Sequence, residues 1–394
     1  MEASNTPLTD PAATGSAPPV SKSKRIAALD WARGIAMIFM MLDHVSMAFD
    51  ANHFSADSAA SWTAGRPLVP SVFLTRWVSH VCAPIFVLLA GTALALSIER
   101  RVAKGADARS IDGGLLKRGL FIAILDPTIV SLFSGGWRIQ VLYAIGAAMM
   151  CMAVLRRLPS AILLALALGW FGLGEYLTSL VWQPDGETGA HAVMWGLLVG
   201  NYQSPDLIIR YPLIPWLAYM NLGWILGRWI IQFNAGKTRV DVTVLLMMWG
   251  ALGIATFLGV RYFNGYGNLW LYRESNDLMQ WLHVSKYPPS LSYTSLELGL
   301  TAWLIAAMVF VERMAGVRPN GPLLVFGQTA MFFYLLHRVT LEGLATYAGL
   351  RGCVEQLWLI YLITACFLLA LYPICRWYRT YKSQHRDQWW TTYI

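Results

Sequence analysis

Ten stretches of about 20 predominantly apolar residues punctuate the chain, each long enough for one helical crossing of a bilayer. They lie near 27–49, 80–98, 116–134, 138–155, 160–182, 212–232, 241–262, 289–312, 322–348 and 354–378. Soluble domains are rarely this apolar: 56% of the residues are hydrophobic, 13% are charged, and the mean hydropathy is +0.48. The expected fold is therefore all-α, a polytopic membrane protein of about ten transmembrane helices over residues 25–380. Residues 190–211 read either as a loop or as a re-entrant segment. The Ala-, Ser-, Thr- and Pro-rich start, 1–24, lacks the apolar core of a signal peptide and reads as a disordered cytoplasmic tail. Residues 381–394 read as a cytoplasmic C-terminal tail.

Orientation accounts for the net charge of +8 more simply than a nucleic-acid partner does. With the N-terminus placed in the cytoplasm, inner segments carry 20 Lys and Arg and outer segments carry 8, while Arg33 and Arg338 fall within spans. That bias supports ten crossings with both termini cytoplasmic, in the inner or plasma membrane. The five cysteines, Cys82, Cys151, Cys353, Cys366 and Cys375, show neither metal-ligand nor disulfide spacing, and no metal is expected. Segments outside the spans reach only about 35 residues. Any chemistry must then occur inside the bundle or at its mouths, where water is excluded.

Polar groups inside spans are costly in hydrocarbon and need a partner or a task. Here they are Arg33, Asp43, His44, His80, Asp126, Glu175, Glu297, His337, Arg338 and Glu342. Arg33 and His44 are eleven residues apart, three turns plus about 20°, so both project from one helix face about 16 Å apart. Arg33 belongs to the cytoplasmic half and His44 to the outer half. Met37 and Met41 lie near the same face and suggest an apolar track for an acyl or pantetheine chain. His80 and His337 reach a similar outer depth, and His53 hangs in the first outer loop. These histidines are expected to converge on one outward-facing cavity suited to proton exchange near neutral pH. The plainer alternative is that each only hydrogen-bonds a neighbouring helix.

Asp43 lies about 100° around the helix from His44, so it is expected to pair with another element, Arg76 being the candidate. Asp126-Pro127 reads as a helix break or a buried hydrogen-bonding site. Glu175 and Glu297 are candidate partners for the cations inside the spans. The basic inner segment "ERRVAKGADARSIDGGLLKR" suits either orientation or the phosphates of a nucleotide donor.

The ordered motifs "LDWARGIAMIFMMLDH", "FLTRWVSHVCAPIFVLLAGTALALS", "YPLIPWLAYMNLGWILGR", "YPPSLSYTSLELGL", "FGQTAMFFYLLH" and "YPICRWYRTYK" span about residues 25 to 390. Together they resemble bacterial relatives of heparan-alpha-glucosaminide N-acetyltransferase. The first span also resembles the acyltransferase family three of sugar O-acylating enzymes, which keeps an arginine and a histidine at this separation. The resemblance implies acyl transfer from cytoplasmic acetyl-CoA, or another acyl-CoA, to a glucosamine-like sugar on the far side. It gives Arg33 the anionic part of the donor, with Arg76 and Arg338 as further donor-binding cations. His44 becomes the general base or acyl-carrying nucleophile, with Asp43, His80 and His337 as further catalytic candidates. The lysosomal member departs from this pattern, with asparagine at the position of His44, aspartate at that of His80 and its catalytic histidine further on. The choice between His44 and His53 therefore stays open.

The alternative from another class is a secondary transporter or proton-coupled exporter that uses the same His, Asp and Glu residues as a relay. No convincing internal repeat supports it, and no protease motif is present. Outer segments 51–75, 183–211 and 263–288 supply Trp, Tyr, Asn and Asp of the kind that hold sugars. Membrane lipid surrounds such a bundle, and a homo-oligomer stays open.

Overall fold

The computed structural model describes residues 26–184, 189–385, 387–388 and 390–391. The expected tail at 1–24 lies outside the described residues, as does part of 381–394. The first window is reproduced as α1, Ala27–Phe49. The second crossing starts earlier than expected, with α2 (Pro70–Trp77) leading into α3 (Cys82–Val102). Then come α4 (Ala108–Leu125), a π turn at Asp126–Val130, strand β1 (Trp137–Ile139), α5 (Val141–Leu155) and α6 (Ser160–Ser179). Residues 190–211 are more than a plain loop. They make α7 (Ala190–Leu198) and strands β2 (Tyr202–Gln203) and β3 (Leu207–Ile209). The rest is α8 (Leu213–Asn234), α9 (Val242–Phe263), α10 (Leu278–Leu282), α11 (Leu291–Ala315), α12 (Pro322–Gln328), α13 (Ala330–Tyr347) and α14 (Leu357–Gln384).

Six helical stretches among the described residues are long and apolar enough to cross a membrane: α1, Pro70–Val102, α6, α9, α11 and α14. The count falls short of ten for physical reasons. Helix α5 has only 15 residues. Helix α4 carries Arg109, Asp112, Lys117 and Arg118, and α8 carries Asn221 and Arg228. The window at 322–348 breaks at Thr329, and its second half holds His337, Arg338 and Glu342.

Helix α1 is the centre of the bundle, packed by α3, α11, α12, α13 and α14. No residue of its own caps its N-terminus; instead the Glu312 carboxylate of α11 accepts from the amides of Ala27 (3.1 Å) and Ala28 (2.8 Å). That anion satisfies orphan N–H groups and complements the positive end of the helix dipole. The break at Asp126-Pro127 does both things its sequence suggested. The chain widens into the π turn, and Asp126 Oδ2 accepts from the amides of Gln140 (2.7 Å) and Tyr143 (2.8 Å), capping α5. The strands form one small sheet in the order β1-β3-β2, β1 parallel and β2 antiparallel to β3.

Close helix contacts depend on glycine, as expected where lipid removes the hydrophobic drive for association. A Cβ on Gly223 of α8 would lie 1.9 Å from the Leu88 carbonyl oxygen of α3, and one on Gly327 of α12 would lie 1.8 Å from that of Asp30 on α1. Gly223→Ala should therefore cost about 1–3 kcal/mol through overpacking. Gly113→Ala, which meets open space, should be neutral or mildly stabilising. Thermal unfolding midpoints of the two variants in detergent check this, and a normal midpoint for Gly223→Ala would contradict the packing.

Candidate functional site

A cavity of about 220 Å³ opens beside the C-terminal half of α1, with Met40, Asp43, His44, His53, Arg76 and Arg338 among its walls. Its histidines have legible tautomers. The Nδ1 of His337 lies 2.8 Å from the Phe333 carbonyl oxygen, which can only accept, so this nitrogen carries the hydrogen. The other nitrogen of a neutral His337, Nε2, is then an acceptor. It receives the Nδ1–H of His44 at 2.7 Å, and the two rings stack with centroids 5.0 Å apart. His44 Nε2 is left as a bare lone pair on a half-buried side chain at the cavity wall. His337 is fully buried behind it and acts on its orientation.

A second relay fixes His53. Ser46 donates to the Asp50 carboxylate at 3.1 Å, so His53 Nδ1, 2.9 Å from the same hydroxyl, must be the donor to it. His53 therefore also keeps Nε2 unprotonated in a wall of the same cavity. Burial pulls this imidazole below its ordinary value, while the carboxylates of Asp43, Asp57 and Asp50 work against that fall.

Asp43 does pair with Arg76, at 2.5 Å. Arg76 also donates twice to Asp57, from Nε at 2.8 Å and from Nη2 at 2.5 Å, and His80 Nε2 lies 3.3 Å from Asp57 Oδ1. Arg76 is 6% exposed and held by two carboxylates, so it is not a free cation for donor phosphates. His80 is fully buried against Asp57 and is absent from the cavity wall. Burial alone would raise the Asp57 carboxyl; Arg76, with His80 and Lys286, reverses that and holds it well below the usual carboxylate range.

Other sequence-expected residues fall elsewhere. Arg33 sits at the far end of α1, bonded to Asp30 Oδ1 (3.0 Å) and the Leu89 carbonyl (2.9 Å). The track between Arg33 and His44 is packed shut, because Met37 and Met41 are 1% and 0% exposed and the cavity reaches only Met40. Glu175 accepts from the amides of Gly267 and Leu269 and so anchors the loop after α9, with no ion pair to a cation among the described residues. Neither carboxylate oxygen of Glu297 has a hydrogen-bond partner among the described residues, and no ion pair joins it to a cation there. Arg338 is 2% exposed, lines the cavity and meets Glu342 at 3.2 Å. In the inner basic segment, Asp112 takes up Arg156 and Arg157.

Several wall residues were not singled out from the sequence, notably Arg138, Arg210, Tyr211, Lys286, Tyr287, Tyr334 and Arg351. The small sheet explains two of them. Arg138 lies on β1 and Arg210 directly follows β3, where its amide donates to the Ile139 carbonyl at 3.2 Å. Lys286 and Tyr287 come just before the Pro288-Pro289 stretch of the "YPPSLSY" motif, the one signal that could have marked them.

Fold and site together define a multi-pass membrane protein with a cavity walled in part by two histidines. A family model for heparan-alpha-glucosaminide N-acetyltransferase, catalytic, matches residues 25–261, and the chain belongs to that family. It is thus a membrane acetyltransferase by family. No curated protein matches the chain. Lys286, Tyr287 and Arg338 lie beyond the matched segment although they line the same cavity as its residues, and so does His337, which is buried behind His44.

The Asp57 pairing carries a pH signature. Because the folded value is lowered, its stabilising contribution is complete above the unfolded value, about 4, and drains away as pH falls through the folded value. Asp57→Asn should cost about 3–5 kcal/mol near neutrality, since it strands part of a buried cation. Unfolding midpoints of wild type and variant should converge below about pH 4, and a constant gap across pH would show that the charge is not responsible.

Proposed function

We propose that the protein transfers an acetyl or longer acyl group from cytoplasmic acyl-CoA to an amino group or hydroxyl of a glucosamine-like sugar at the outer side. The observation that carries this is the bare Nε2 of His44, oriented by the His337–Phe333 relay at the wall of a cavity. In this reading His44 Nε2 attacks the thioester carbonyl carbon, the C–S bond breaks, and the CoA thiolate leaves. The His44 Nδ1–H stays hydrogen-bonded to His337 Nε2, which steadies the acyl-imidazolium without taking its charge. The acceptor nucleophile then attacks the acyl carbon, His53 Nε2 takes its proton, and the bond to His44 breaks. Asp43 and His80 act through Arg76 and Asp57, holding α1 and the first outer loop in register.

The proposal needs ten crossings with both termini cytoplasmic, and the inside excess of Lys and Arg supports that topology. The windows that are short or interrupted by polar residues are α4, α5, α8 and the α12–α13 pair; of those polar residues, Asn221 of α8 and His337, Arg338 and Glu342 of α13 are buried and face protein rather than lipid. The donor enters from the Arg33 end, and its thioester, still joined to the pantetheine arm, reaches His44 when the flexible Met37 and Met41 side chains move aside. The cell's inner or plasma membrane is the proposed location.

Purified protein in proteoliposomes, with labelled acetyl-CoA on the cytoplasmic side and an amino sugar on the other, tests this. His44→Ala and His53→Ala should each lower transfer by about 10²–10⁴-fold. His337→Gln, which keeps an acceptor for His44 Nδ1–H, should lose less than His337→Ala, with the loss in kcat and not in KM for the sugar. Since His53 works neutral, acidification through its lowered value should reduce the rate. Label that never reaches the sugar, together with uptake of the sugar itself, would hand the site to a transporter.

A further inference from the structure

Six cations line the outward cavity, Arg76, Arg138, Arg210, Lys286, Arg338 and Arg351, against only two lining carboxylates, Asp43 and Glu342. Asp57, just behind the wall, joins Asp43 on Arg76. Glu342 is shared between Arg338 at 3.2 Å and Arg351 at 2.7 Å. Counting Asp57, the site carries three more positive than negative charges among the described residues. Two of the cations are buried without full satisfaction. Lys286 is 3% exposed, its ammonium makes no hydrogen bond or ion pair among the described residues, and it rests 5.4 Å from the Tyr287 ring centroid. Arg338 is 2% exposed and its Nε has no hydrogen-bond partner among the described residues. Arg210 also approaches the Tyr287 ring, at 5.4 Å.

Beyond this cavity lies a larger one of about 820 Å³ that shares Ser55, Arg210 and Tyr287 with it. Trp182, Trp195, Asn201, Tyr202 and Gln203 line its walls, and apart from Arg210 no Lys, Arg, Asp or Glu does so among the described residues. Aromatic faces with amides and hydroxyls suit uncharged sugar rings, whereas an unpaired buried cation calls for an anion.

We infer that the acceptor carries one oxyanion, a carboxylate or a phosphate, next to the group that is acylated, while its remainder is an uncharged glycan lying in the outer vestibule. Guanidinium forks match either oxyanion, and the cations lie in the cavity that His44 and His53 line. The same positive field favours a neutral acceptor amine over the ammonium, and the neutral amine is the form that attacks an acyl carbon. A polyanionic chain would place further charges in a vestibule that offers them no counter-charge. The inference rests on the acyl-transfer reading for the identity of the ligand as acceptor, but not for the oxyanion site itself.

The test uses the full chain in detergent, first without donor. Binding of glucosamine, muramic acid and glucosamine 6-phosphate is measured at low and high salt, so that the last two separate carboxylate from phosphate. Transfer in proteoliposomes follows with the same sugars, an uncharged amino-sugar dimer and a sulfated oligosaccharide. At least one anionic sugar should bind about tenfold more tightly than glucosamine, and salt should erode that advantage. Arg210→Gln should cut the ratio of anionic to neutral acceptor. Equal binding of neutral and anionic sugars overturns the inference, as does a preference for the sulfated chain over a single charge. Tight, salt-sensitive binding without any transfer would sink the acyl-transfer reading and leave the oxyanion site standing.

Discussion

A guanidinium clamped between two carboxylates inside an apolar bundle is the constraint on which the site depends. Arg76 joins Asp43 near the outer end of α1 to Asp57 in the following loop, and His80 closes on the other oxygen of Asp57. Charges this deep are stable only when paired, so the pairing dictates where the loop lies. The loop carries His53 back to the cavity wall, while α1 itself carries His44. Helix α1 is thus fixed at one end by Arg76 and at the other by the Glu312 carboxylate over its first amides.

With the frame set, hydrogen-bond inventory alone decides what the histidines can do. A carbonyl behind His337 and a carboxylate behind Ser46 each accept and never donate. Each relay consequently leaves an Nε2 lone pair on a histidine of the outer cavity. Two unprotonated imidazoles in one wall suit a two-step transfer in which one carries and the other deprotonates. Cations surround that cavity, and the buried Met37 and Met41 separate it from the Arg33 end of α1.

Much of this was legible in the chain. The spacing of Arg33 and His44, the pairing of Asp43 with Arg76 and the break at Asp126-Pro127 all follow from helix geometry and from the cost of polar groups in hydrocarbon. Other features were not legible because they join segments far apart. Glu312 caps α1 across 284 residues, and His337 reaches His44 across 293. The small sheet that sets Arg138 beside Arg210 came from a stretch with no strand-like length, since its strands have two or three residues each. Glu175 and Glu297 looked alike as spans' acids, yet one caps loop amides and the other stands without a hydrogen-bond partner among the described residues.

Local chemistry and periodicity by themselves determined that the chain is a helical membrane protein and which residues are too costly to be idle in it, while the family came from the resemblance of its ordered motifs. Tertiary structure alone decided which of those residues meet. Hydrophobic windows specify that helices insert but not which faces touch. That depends on glycines letting backbones approach, as at Gly223 and Gly327, and on buried charges finding the partners that make their burial tolerable.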